Sequence, residues 1–87
     1  MKKIEFFTAR YCGKCRALKR RLIDLKNLLT DVEIVFRDID IERDLAKMKK
    51  IDGVPTLIYY LDSEEIRRIS GSIYEEDILK LVDKERF

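Results

Sequence analysis

The sequence predicts an α/β fold in which one mixed four-stranded sheet, in the strand order 2-1-3-4, is flanked by three helices. Three observations predict it. A strand-like segment, a helical repeat and a second strand-like segment follow one another from Lys3 to Ile39, a parallel crossover unit that is almost always right-handed. Two more strand-like segments, Thr56 to Leu61 and Glu64 to Ser70, are joined by Asp62-Ser63 alone, as in an antiparallel hairpin. Ile4–Phe7 and Leu57–Leu61 offer apolar groups to both faces and belong at the sheet centre. Glu64, Glu65, Arg67 and Arg68 give the last strand the charges of a protected edge.

The elements follow in order. Lys3 to Thr8 reads as the first strand. Ala9-Arg10-Tyr11-Cys12-Gly13-Lys14-Cys15 then leads into a helix reaching about Leu29, because Leu18, Leu22, Leu25 and Leu29 recur on a single face. Thr30-Asp31 breaks it. Val32 to Ile39 alternates as a strand, with Val32, Ile34 and Phe36 on one side. Asp40 is placed to N-cap a short helix over roughly Glu42 to Lys49. Asp52-Gly53-Val54-Pro55 is a turn before the third strand, and Gly71 ends the fourth. Ser72 and Glu75 stand at capping-box spacing for a last helix containing Ile78, Leu79 and Val82. With 87 residues and no repeat or linker, residues 1–87 are expected to form one domain.

Composition narrows the function. The chain is 46% hydrophobic and 41% charged, which fits neither a disordered tail nor a membrane protein. Its longest uncharged apolar stretch, Val54 to Leu61, falls far short of the roughly 20 residues that span a bilayer. Nineteen basic and seventeen acidic side chains leave a net charge of +2, without the basic field that nucleic acid demands. Met1 to Phe7 is charged and strand-like, lacking the apolar core of a signal peptide, so a cytoplasmic location is expected. Histidine is absent, which removes imidazole bases, triads and His–zinc chemistry together.

What remains is the cysteine pair. Cys12 and Cys15 lie where a buried strand meets the first turn of a long helix. A thiolate, not a thiol, attacks a disulfide, and a helix N-terminus supplies partial positive charge and free N–H groups to hold one. Spacing of three sets both sulfurs on one side of the first turn. Cys12, at the helix edge, is expected to be the nucleophile, and Cys15, one turn deeper, the resolving thiol. Arg10, Lys14 and Arg16 bring three cations close, with no acid before Asp24, and cations favour the thiolate. Two other readings compete. Half of a zinc site would need further ligands, and the chain holds no third Cys and no His. A pair of small core residues fits poorly with the polar Gly13-Lys14 between them.

At this point the motifs take on a family likeness. Phe6-Phe7-Thr8-Ala9-Arg10-Tyr11 followed by Cys12-Gly13-Lys14-Cys15-Arg16 resembles the active-site segment of thioredoxins and glutaredoxins. Ile51-Asp52-Gly53-Val54-Pro55-Thr56-Leu57 resembles their cis-proline loop, and Glu65 to Gly71 their last strand with its terminal glycine. The likeness spans nearly the whole chain, in the same order. It implies a thioredoxin-like fold and a thiol–disulfide oxidoreductase that reduces protein disulfides through Cys12 and Cys15, with no metal or bound cofactor. It further implies a cis Pro55 beside the cysteines and a Val54 backbone that pairs with an extended substrate. Tyr11, Gly13, Lys14 and Gly71 are the remaining candidate substrate contacts. Disulfide-bearing proteins are the implied substrates, a thioredoxin reductase or glutathione the electron donor, and a monomer the expected state.

The departures matter too. Thioredoxins carry a buried aspartate six residues before the first cysteine, where this chain has Phe6; Glu5 falls on the opposite face by strand alternation. Tyr11 replaces their tryptophan, as a partly exposed contact residue. The size is that of a glutaredoxin, yet glutaredoxins typically have Pro-Tyr between the cysteines and a Gly-Gly-x-Asp-type glutathione turn, against Gly13-Lys14 and Gly71-Ser72-Ile73-Tyr74 here. Lys2, Lys14, Val54 and Ser72 are the groups available to hold a small anionic peptide. A glutathione-dependent glutaredoxin is therefore the alternative enzyme, and a non-enzymatic metal or iron–sulfur module the alternative of another class.

Overall fold

The computed structural model of the protein describes residues 1–82. Its elements are β1 (Lys2–Thr8), α1 (Gly13–Asp24), a 3-10 turn (Lys26–Leu28), β2 (Val32–Asp38), α2 (Arg43–Met48), β3 (Thr56–Leu61), β4 (Glu64–Ser70) and α3 (Glu75–Val82). The sheet order is β2-β1-β3-β4, as predicted. β1 and β2 run parallel, with Ile4 opposite Ile34 and Phe6 opposite Phe36. β1 and β3 are antiparallel, with Phe6 opposite Leu57, and β3 and β4 form the hairpin with an irregularity at Tyr59/Tyr60.

Strand alternation makes two cores. Ile4, Phe6, Leu57 and Tyr59 face one way and pack with Cys15, Leu18 and Leu22 of α1 and Ile78 and Leu81 of α3. Phe7, Ile58 and Tyr60 face the other way, against Leu45 of α2 and Ile39 and Ile51 beside it. Fully burying each leucine or isoleucine stabilises the fold by about 1.5–3 kcal/mol. The two strands expected at the centre contribute to both sets.

Glu5 belongs to that second face, and it is buried at 1% exposure. Its carboxylate accepts from Lys49 Nζ (2.6 Å), Tyr60 Oη (2.8 Å) and Arg37 Nε (2.9 Å), while Lys49 Nζ also lies 2.6 Å from Tyr60 Oη. Burial pushes the Glu5 carboxyl up, but the bonds from Lys49, Tyr60 and Arg37 outweigh it and hold it below the ordinary range. Burial likewise pushes Lys49 down, and the bonds to Glu5 and Tyr60 reverse the direction. Lys49 caps the C-terminus of α2, so this network ties that end of the helix to β1.

Three element ends differ from the sequence expectation. The first helix stops at Asp24, not near Leu29, and a 3-10 turn follows. The tighter turn keeps Leu25 and Leu29 buried and brings the Val32 N–H to the Leu29 carbonyl (3.0 Å), starting β2. Asp40 does not cap α2. Instead the Asp38 carboxylate accepts the Asp40 N–H (2.8 Å), and α2 begins after Glu42 without a side-chain cap. At α3 it is Asp77, not Glu75, that reaches back, accepting the Tyr74 N–H at 2.9 Å. Among the described residues no helix is long and apolar enough to cross a membrane.

Candidate active site

β1 delivers the chain to the site. Past Thr8 it turns, the Cys12 N–H bonding the Ala9 carbonyl (3.3 Å), and Cys12 becomes the N-cap of α1 with extended backbone angles of φ −96° and ψ 108°. An N-cap residue turns its side chain toward the free N–H groups of the first turn. Here that side chain is a thiol sulfur: Cys12 Sγ accepts from the Cys15 N–H at 3.1 Å. No acidic residue stands in the first turn to offset the positive end of the helix.

Cys12 and Cys15 are joined as a disulfide, with Cα atoms 5.1 Å apart. Their surroundings differ as the sequence predicts. Cys12 is partly exposed, whereas Cys15 is 2% exposed and packs within the α1–α3 core. Phe6 is buried in the same core, its ring tilted against Phe36 with centroids 5.4 Å apart, so the position six residues before Cys12 is apolar.

The Pro55 loop completes the site. The Val54–Pro55 bond is cis, Pro55 is buried, and Val54, like Cys12, packs against the core that contains Cys15. Thr56 Oγ1 closes the loop by donating to the Gly53 carbonyl (2.7 Å), and the Gly71 N–H donates to the Pro55 carbonyl (3.1 Å). Gly71 adopts φ +91°, a left-handed conformation that suits glycine at this strand end. Val54 makes no backbone hydrogen bond among the described residues.

The structure thus brings Cys12, Cys15 and Val54 to one core, with Pro55 following Val54 and Gly71 bonded to the proline. Tyr11 projects outward at 88% exposure, and Gly13 and Lys14 are exposed beside it in sequence. The Arg16 guanidinium folds back over Gly13, close enough that a methyl group built there would meet Nη2 at 3.9 Å. Lys2 is not part of this assembly. It begins β1, some six residues or about 20 Å of strand from Thr8, and pairs with Asp31 at 2.9 Å. Among the described residues no group of three or more Cys, Asp or Glu gathers to hold a metal ion. What sequence reasoning missed at the site is the Cys15 N–H as the donor to Cys12; the signal was Cys12 standing in the N-cap position.

This geometry has known counterparts. The thioredoxin family model matches residues 3–84. Thioredoxin of Chlamydia trachomatis serovar D is 35% identical over 81 residues, covering 93% of this chain and 78% of its own. Among solved structures, a mutant thioredoxin from Halobacterium salinarum NRC-1 superposes with a TM-score of 0.85 at 28% identity, covering 93% of this chain and 71% of that one. Oxidised mitochondrial thioredoxin 3 of Saccharomyces cerevisiae gives 0.83 at 29%, over 91% and 74% of the two chains. A half-buried cysteine capping a helix, a buried one a turn deeper and a cis-proline loop whose Val54 packs against the same core stand in a chain that belongs to the thioredoxin family, and it is a thiol–disulfide oxidoreductase.

Proposed function

We propose that Cys12 is the attacking thiolate and Cys15 the resolving thiol in the reduction of protein disulfides. The observation that carries this division is the Cys15 N–H aimed at Cys12 Sγ (3.1 Å) while Cys15 itself is buried. A backbone donor at this distance favours the ionised sulfur, and exposure lets that sulfur meet a target. The Cys12 thiolate attacks one sulfur of the target disulfide; a Cys12–target bond forms, the target's own S–S bond breaks, and its other sulfur leaves as a thiolate. Cys15 gives up its proton and attacks Cys12 Sγ, and the mixed disulfide breaks as the Cys12–Cys15 bond forms. Two electrons have passed to the target, two protons complete its thiols, and the chain is left with the disulfide seen here.

The target's extended segment is proposed to lie along Val54, whose N–H and C=O are without partners among the described residues. Tyr11, Gly13, Lys14, Pro55 and Gly71 flank it. A reductase recharges the pair; family membership supports a thioredoxin-reductase-type donor over glutathione. In this reading the protein works as a monomer in the cytoplasm, where a dithiol stays reduced.

The test is trapping. Cys15→Ser should accumulate mixed disulfides on Cys12, and Cys12→Ser should yield none; stable adducts on Cys15 in the Cys12→Ser variant would overturn the assignment. Turnover of a disulfide protein such as insulin should be sustained by a thioredoxin reductase, and turnover sustained by glutathione alone would favour the glutaredoxin alternative.

A further inference from the structure

The charge of this chain is unevenly distributed. Residues 10–24 hold six cations and one acid, a net +5 in a chain of net +2, so the remainder is at −3. Elsewhere several cations are matched, Lys2 by Asp31, Arg37 by Glu5 and Glu42, Lys49 by Glu5, and Arg68 by Glu65. Lys26, Arg43, Lys47, Lys50 and Lys80, without an ion pair among the described residues, are scattered along the chain away from the cysteines and interleaved with acids. Within α1, Arg21 lies 4.0 Å from Glu75 and Lys19 covers the Phe36 ring. Arg10, Lys14, Arg16 and Arg20 are exposed and have no ion pair among the described residues. All but Arg20 stand within four residues of Cys12, and the Arg16 guanidinium folds over the glycine between the two cysteines.

The acids of the neighbouring segments offset them only in part. Glu75 is held by Arg21. Asp38, in register with Thr8 where β1 ends, and the exposed Asp40 and Asp52 oppose them, against the four cations Arg10, Lys14, Arg16 and Arg20 and the positive end of α1. Cations left unpaired at the rim of a reactive sulfur raise the local concentration of negatively charged partners and speed their encounter. An apolar rim would be indifferent to charge.

We propose that Arg10, Lys14 and Arg16, extended along the helix by Arg20, form a basic collar around Cys12 that selects disulfides flanked by acidic side chains. The substrate class is therefore cystine segments of acidic proteins, read by charge on either side of the bond. This rests on the reading of Cys12 as the attacking group in disulfide reduction.

The experiment is a single-turnover one. Pre-reduced protein, freed of reductant, is mixed with one equivalent of a peptide containing an intramolecular cystine flanked by Asp and Glu, by Ser and Gly, or by Lys. The reduced peptide is quantified after acid quench. Each turnover converts the peptide disulfide to two thiols and oxidises Cys12 and Cys15 to their disulfide. At low salt the acidic peptide should react on the order of 10-fold faster than the basic one, with the neutral peptide between. In about 1 M salt, where the Debye length is near 3 Å, the spread should shrink to roughly 2-fold or less. The double variant Arg10→Glu/Arg16→Glu should reverse the order, and because the ratio is taken within one protein, any change in intrinsic Cys12 reactivity divides out. Equal rates for the three peptides, or an order that survives the double variant, would overturn the collar while leaving disulfide reduction intact. If none of the peptides is reduced, the disulfide-reduction reading falls and the collar with it.

Discussion

Replacing Glu5 by glutamine removes one charge from the α2 side of the sheet and changes almost nothing in shape. The wild-type carboxylate takes Lys49 and Tyr60 on one oxygen and Arg37 on the other. An amide keeps the first oxygen as an acceptor but turns an NH2 donor toward Arg37 Nε, so one charged hydrogen bond is lost outright. Hydrogen bonds to charged groups contribute about 1.5–3 kcal/mol, and breaking a fully buried pair costs about 3–5. Lys49 and Arg37 keep 25% and 30% of their surface in water and can rehydrate, which places the expected loss at about 2–3 kcal/mol. For a domain of this size that corresponds to a fall in Tm of roughly 10–20 °C. The pH dependence follows from the direction of the shift. The folded-state pKa of Glu5 lies below its ordinary value of 4.5, so its stabilising effect is complete above that value and disappears as pH falls through the folded pKa. Urea unfolding of wild type and Glu5→Gln, from about pH 7 down to about pH 2, should show a gap that closes at the acid end. A gap under about 0.5 kcal/mol at neutral pH, or one that is the same at both ends, would refute the reasoning.

Two further outcomes test the site and the core. Lys14→Glu should move the midpoint of iodoacetamide labelling of Cys12 to higher pH, and high salt should shrink that move while sparing the part due to the Cys15 N–H; superimposable curves would show that the backbone donor alone governs reactivity. Leu18→Ala, at a site with no exposure, should cost about 2–5 kcal/mol in urea unfolding, whereas Leu28→Ala, on the exposed side of the 3-10 turn, should stay within about 0.5; similar losses at both would contradict the helix facing described here.

The sequence made the sheet order, the cysteine pair and the loop before Thr56 legible because each is written locally. Period-two and period-3.6 patterns locate strands and α1, and the Cys-x-x-Cys spacing needs only one turn of helix. The Glu5 network was not legible. Its partners lie 32, 44 and 55 residues away in sequence, and no local pattern separates a carboxylate destined for burial from one bound for water. The early end of α1 escaped for a different reason: Leu25 and Leu29 remain buried across the 3-10 turn, so the leucine repeat continues where the helix does not. At α3 two acids compete for one cap, and spacing from Ser72 favoured Glu75, while the helix actually starts later and uses Asp77. Helix ends depend on which of several short-range bonds survives packing, and that contest is decided by tertiary contacts.

The two faces of the sheet respond differently to heat. The cysteine side is held by apolar contacts, whose benefit per unit area levels off as temperature rises, while the cost of stripping water from buried ions falls. Warming therefore shifts the balance toward the face where Glu5, Lys49 and Arg37 meet. That face secures the end of α2, from which the chain passes directly to Pro55. The loop that carries Pro55 thus has one attachment, through α2, to the part of the molecule whose electrostatic hold strengthens relative to the rest on heating, and another, through Val54, to the cores on both faces of the sheet.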